Sequence, residues 1–211
     1  MATRIHDISQ RVGERTAVWP GDRPVELSWT MSRRRGDAVN VAALTLTMHA
    51  GTHADGPLHY SDLGPGIGEL PLDVYVGPAR VIDARGRRRI DVAALEGVDL
   101  DGVERVLFRT RDVVDETRFP PAYAAIAPAL AERLGDAGIR LVGTDAPSVD
   151  PFDSKTLDAH HVLAARGIAI LENLVLEDVA PGRYTLVALP LRLVEADSSP
   201  VRAVLLEGLD V

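Results

Sequence analysis

The chain has 211 residues and 46% hydrophobic content, room for one large domain or two small ones, each with a buried core. Its 31 acidic residues outnumber 23 basic ones, for a formal net charge of −8, which offers no electrostatic footprint to phosphate backbones or anionic membranes. There is no cysteine, so disulfides, thiolate metal sites and cysteine nucleophiles are excluded, and any metal must be held by His, Asp and Glu.

The opening "MATRIHDISQRVGERTAVWPGD" lacks an apolar core of signal-peptide length, and no run approaches the roughly 18 apolar residues that span a bilayer. A cytoplasmic protein with no nucleic-acid or membrane partner is expected. The first clear strand pattern is "VAALTLTMH" (41–49), with Leu44, Leu46 and Met48 on one face and Thr45, Thr47 and His49 on the other. This period of two predicts a half-buried strand that ends at His49. Apolar or β-branched runs at 79–84, 105–110, 139–145, 167–173, 184–191 and 201–207 predict further strands, several buried on both faces. Helical patterns are fewer: a short one at 91–97, a better one at 125–138 and a third at 154–167, the last two closed by Gly. "TRFPPAY" and "DAPSVDPFDS" read as Pro-rich loops. No repeat, low-complexity tract or domain boundary interrupts the pattern, so a single mixed α/β domain over 1–211 is expected.

Chemistry concentrates in "HAGTHADGPLH" (49–59), which holds three of the six histidines. A lone histidine is usually structural or merely exposed. Here Gly51, Gly56 and Pro57 predict a sharply turning loop that can fold His53, Asp55 and His59 towards one point near His49. Imidazoles and a carboxylate suit Zn²⁺, Mn²⁺ or Fe²⁺, and three such ligands leave positions open for water. The spacing is not that of the zincin H-E-x-x-H helix, so metalloprotease chemistry is not indicated. Downstream, Glu172 ends an apolar run where a strand would leave the core. His160 and His161 point about 100° apart on a helix, so at most one of them shares a site with Glu172, and periodicity does not choose.

Position for position, "HAGTHADGPLH" resembles the H-x-G-T-H-x-D-x-P-x-H motif of the cyclase family of metal-dependent hydrolases. "DISQRVGERTAVWPGD" is similar to the family's opening segment, "GTDAPSVDPFDSKTLDAHH" to its central loop and helix, and "GIAILENLVLEDV" to its second ligand strand. The resemblance implies a swivelling β/β/α fold and a homodimer. It also implies a two-zinc site in which His49, His53 and Asp55 hold one ion, Asp55 and Glu172 contribute to both, and His160 completes the second. His160 is preferred to His161 because twelve positions separate the family's helix histidine from its glutamate. In the implied roles His59 is the general acid/base and Trp19 lines the substrate pocket. The short length, "VWPGD" and "TDAPSVDP" most resemble the bacterial members that split N-formyl-L-kynurenine to formate and L-kynurenine. Two other readings are a manganese-dependent family member that opens the cyclic amide of isatin, and a non-catalytic metal-binding protein.

Overall fold

A computed structural model describes residues 3–209; residues 1, 2, 210 and 211 of the expected domain lie outside the described range. Thirteen strands form within it. In chain order they are β1 (Arg4–Asp7), β2 (Glu26–Met31), β3 (Val41–Thr45), β4 (His53–Asp55), β5 (Val76–Asp83), β6 (Arg89–Ile90) and β7 (Arg105–Arg109). Then come β8 (Ala125–Ile126), β9 (Leu141–Thr144), β10 (Ala169–Glu172), β11 (Gly182–Val187), β12 (Ser198–Pro200) and β13 (Val204–Glu207). Two α-helices, α1 (Pro128–Asp136) and α2 (Asp158–Ala165), interrupt them.

Nine strands make one mixed sheet in the order β1-β13-β11-β5-β7-β9-β10-β4-β12. The middle strands β5, β7, β9 and β10 run parallel, and the flanking strands pair antiparallel. Strands buried on both faces should read as continuous apolar runs, and these do. Along β7, Val106 and Phe108 join the cluster under the helices with Leu130, Leu134 and Leu163. The intervening Leu107 joins the opposite cluster with Ile8, Tyr75 and Leu205. The same alternation separates Val142 from Leu141 on β9 and Ile170 from Leu171 on β10. The mixed α/β class expected from the sequence is the one observed.

Several local expectations need correction. The strand expected over 41–49 stops at Thr45, so His49 lies in a turn beyond it. That strand is not half-buried either. β3 pairs only with β2 in a separate ribbon that no layer covers, and Leu44 is 50% exposed. The helix expected from 125 begins at Pro128, because proline fits the first helical turn, Ala127 caps it and Ala125–Ile126 form β8. The pattern at 91–97 is one 3₁₀ turn, Val92–Leu95, with Asp91 accepting a hydrogen bond from the Ala93 amide at 3.2 Å. β11 ends at Val187, short of Pro190, which has no amide to continue a ladder. Among the described residues, no helix is long and apolar enough to cross a membrane.

Candidate metal centre

The segment 53–55 is a strand, where a loop was expected. β4 lies between β10 and β12, and its period of two sends His53 and Asp55 to the same face with Ala54 on the other. The register sets Glu172 of β10 directly opposite His53, so the side chains of these cross-strand partners meet without any loop closure. His53 Nε2 is 3.3 Å from a Glu172 oxygen and 3.4 Å from Asp55 Oδ1. His49 enters from the preceding turn, its Nδ1 3.3 Å from Asp55 Oδ1. His160 enters from α2, its Nε2 3.4 Å from Asp55 Oδ2 and 3.6 Å from Glu172 Oε1. His161, one residue on, is exposed.

Two glycines of the motif are needed for distinct reasons. Gly51 sits at φ +69, a conformation that side chains resist, and its carbonyl accepts a hydrogen bond from His53 Nδ1 at 2.8 Å. Gly56 is extended, but a Cβ there would lie 2.8 Å from the Ile67 amide nitrogen and 3.1 Å from the Asp197 carbonyl oxygen. The expected sharp turn at Gly56 is therefore absent; a close approach of backbones requires the glycine instead.

Each imidazole is oriented by an acceptor behind it, and the acceptor fixes which nitrogen carries the proton. A carbonyl takes the Nδ1 proton of His53, and Asp150 takes that of His160 at 2.7 Å. Asp197 faces Nε2 of His49 at 2.9 Å. The remaining nitrogens, Nε2 of His53, Nε2 of His160 and Nδ1 of His49, face Asp55 and Glu172 and would offer lone pairs to a cation held there. His53, Asp55, His160 and Glu172 are each no more than 4% exposed. Yet Nε2 of His53, Nε2 of His160 and both carboxylate oxygens of Asp55 have no hydrogen-bond partner. Buried polar atoms are rarely left so, and carboxylates carried out of water cost several kcal/mol unless cations compensate them. A cluster of orphaned lone pairs around shared carboxylates fits divalent cations, and a nitrogen and oxygen donor set without thiolate suits zinc or manganese.

The electrostatics agree with that fit. Burial works against a charged His49, but the carboxylates of Asp197 and Asp55 beside it outweigh burial and hold the pKa up to about 10. For His160 burial is likewise outweighed, by Asp150 and then Asp55, again up to about 10. Asp55, although burial opposes its charge, is held well below the carboxylate range by His160 and His49. The pocket thus carries a strong negative field. His59 is set apart at the rim: burial and the neighbouring His49 and His160 push its pKa down, against Asp55 and Glu172. Its ring lies 4.2 Å from that of His49, and its Nδ1 is 3.7 Å from Asp197.

Donor atoms from His49, His53 and Asp55 gather within 4.8 Å of one another, as do those from Asp55, His160 and Glu172, with Asp55 common to both groups. A third grouping joins His49, His59 and Asp197. Beside them opens a cavity of about 440 Å³, of small-molecule size, lined by His49, His59, His160 and Glu172 at one part and by Trp19 and Phe119 at another. Trp19 packs edge-on against Phe119 and at 34° to Phe152, each at 5.2 Å between centroids.

Sequence reasoning missed Asp150 and Asp197. Asp150 accepts the Ala159 and His160 amides at 3.0 Å each as well as the His160 ring, capping α2 from nine positions away, outside any local capping pattern. Asp197 reaches His49 across 148 positions, a distance no motif spans. Positive φ at residues other than glycine occurs, among those described, at Leu157, Asn173 and Glu195. These three lie next to or within three residues of His160, Glu172 and Asp197, where strain commonly gathers around functional sites.

Comparison with known proteins gives this geometry a context. The family model described as "Putative cyclase" matches residues 6–151, more than half of the chain. The chain belongs to the cyclase family. Among its cyclase relatives, a protein of Salinibacter ruber named kynurenine formamidase is 48% identical over 210 residues, covering 97% of this chain and 98% of its own. Another of that name from Bacillus cereus is 47% identical over 199 residues, covering 94% and 95%. A structure titled as a potential metal-dependent hydrolase with cyclase activity superposes with TM-score 0.84 at 28% identity, covering 99% of this chain and all of the other. Isatin hydrolase A of Labrenzia aggregata shares the fold, with TM-score 0.82 over 97% of this chain and 93% of the other, at 21% identity.

Proposed function

We propose that this cyclase-family protein hydrolyses N-formyl-L-kynurenine to L-kynurenine and formate, using two zinc ions with manganese as the alternative metal. Relatives named kynurenine formamidase, 46–48% identical over more than nine tenths of the chain, carry this reading. The orphaned donors beside a small-molecule cavity are the geometry that agrees with it.

In this reading His49, His53 and Asp55 hold one ion, and His160 holds the second, with Asp55 and Glu172 shared. Cations held there supply Lewis-acid charge to a water and to the formyl oxygen. The remaining work falls to the chain. Trp19, steadied by Phe119 and Phe152, presents a flat apolar face to the aryl ring. His59 moves the proton. Its Nδ1 faces Asp197, which leaves Nε2 to accept a proton as the water's oxygen bonds to the formyl carbon, then to return it to the aniline nitrogen as the C–N bond breaks. Expelling that nitrogen as an anion would be prohibitive, so a donor that titrates near neutrality is required. The products are a neutral arylamine and formate, with one proton released to water at neutral pH.

The test is formate release from N-formyl-L-kynurenine before and after chelation, with zinc and manganese restored separately. Activity lost on chelation and regained with one metal is expected. His59→Ala should keep its metal and lose about 10²–10⁴-fold in turnover, and Glu172→Ala should lower metal content by elemental analysis. No turnover by folded, metal-loaded protein would overturn the reading. The cytoplasmic setting and the homodimer belong to the same proposal. Support for the dimer comes from the β2–β3 ribbon, every residue of which is exposed, including Leu27, Trp29, Met31, Val41 and Leu44. An isolated two-stranded ribbon with apolar side chains in water is marginal, and a second copy would cover it.

A further inference from the structure

The cavity beside the candidate metal centre is lined by two arginines, Arg111 and Arg118. Some guanidiniums elsewhere are matched to carboxylates, among them Arg11 to Glu116, Arg85 to Asp83 and Asp112, Arg140 to Asp73 and Arg202 to Asp7. Neither cavity arginine forms such a pair among the described residues. They differ in how they are held. Arg118 is exposed, on the loop that carries Phe119. Arg111 is half-buried, two residues beyond the end of β7, with its root clamped by a buried carboxylate.

That carboxylate belongs to Asp145, which is 0% exposed and follows directly on β9. Its oxygens accept the amides of Thr110 at 2.9 Å and Arg111 at 3.0 Å, together with the Thr110 hydroxyl. Arg111 Nη1 also lies 3.5 Å from the Asp145 carbonyl oxygen. Thus two neighbouring strands fix the backbone from which the Arg111 side chain leaves at the cavity wall. A cation held in place without an ion-pair partner in a ligand cavity is preorganised for an anion, and a guanidinium's planar fork matches a carboxylate in two parallel bonds.

We propose that Arg111 is the specificity-determining residue that binds the α-carboxylate of an amino-acid-bearing aryl formamide. This rests on the formamidase reading above. It assigns the charged end of the substrate, as the metal cluster takes the formyl end and Trp19 the ring. Asp22 and Asp115 line the same cavity, so an α-ammonium beside the carboxylate meets opposite charge as well. Arg111 touches no reacting atom, and its contribution is uniform binding, which moves KM and leaves kcat alone.

The experiment compares the metal-loaded wild type with Arg111→Ala, Arg111→Lys and Arg118→Ala on two substrates. One is N-formyl-L-kynurenine; the other is 2-formamidoacetophenone, which keeps the ring and the formamide and lacks the amino-acid end. Arg111→Ala should raise KM for N-formyl-L-kynurenine by about tenfold to a hundredfold, the worth of a charged hydrogen-bonded contact, with kcat little changed. It should leave kcat/KM on 2-formamidoacetophenone as in the wild type. Arg111→Lys should recover part of the loss, and Arg118→Ala should change little. Equal losses on both substrates would make Arg111 a structural residue, and no loss on either would place the carboxylate elsewhere; each overturns the proposal. Wild type that cleaves 2-formamidoacetophenone but not N-formyl-L-kynurenine would instead bring down the formamidase reading, and this assignment with it.

Discussion

At the scale of single residues, the candidate centre depends on acceptors that stand behind the imidazoles. His160 is the clearest case, because one carboxylate, Asp150, takes both its ring proton and its backbone amide. Such an acceptor fixes the tautomer and the ring plane and raises the basicity of the other nitrogen. Asp150→Ala should therefore lower metal affinity by about 10–100-fold while leaving His160 in the chain. A zinc titration equal to that of the wild type would show that packing alone aims the ring. The five proposed ligands are legible in the sequence through the family resemblance: His49, His53 and Asp55 sit in a motif of fixed spacing, and the twelve positions before Glu172 single out His160. Asp150 and Asp197 are not, since what makes them neighbours of histidines is how α2 and the β12 segment are laid over the sheet.

At the scale of elements, β4 and β10 do the positioning. Three residues of β4 are too few for a periodic pattern to emerge between glycines and a proline, which is why the sequence reads as a loop there. Pairing on both edges, to β10 and to β12, stabilises a strand that its own residues would not. The longer parallel strands are legible for the opposite reason: burial on both faces leaves an uninterrupted apolar run. Their spacing is tight. Gly143, midway along β9, faces Leu107 and Leu174, and a Cβ there would stand 2.4 and 2.8 Å from their methyl carbons. Gly143→Ala should cost about 1–3 kcal/mol through overpacking, read as a lower urea midpoint with an unchanged slope. An unaltered midpoint would mean that the two leucines move aside freely.

At the scale of the whole molecule, the nine-stranded sheet has its two apolar clusters covered, whereas the β2–β3 ribbon stands outside both. Trp29 on that ribbon is 49% exposed in the isolated chain, so replacing it should cost the fold little and an interface much. Trp29→Asp should shift the light-scattering mass from two chains towards one without loss of far-UV circular dichroism. A variant that stays dimeric would move the interface elsewhere, and a monomeric wild type would remove the dimer from the proposal.

What the sequence determined by itself was local or encoded in a motif: the absence of thiolate chemistry, the apolar runs of the central strands, the two glycine-terminated helices, and a histidine-rich segment whose spacing names the cyclase family. What only the tertiary structure decided was which distant groups meet. It set Glu172 opposite His53 by strand register, brought Asp197 to His49, and left Arg111 without an ion pair in the cavity. The physical reason is range. Side-chain periodicity and glycine conformations act over a few residues and leave their mark on the sequence. Contacts across 100 or more positions are fixed by sheet order and packing, which no single segment records.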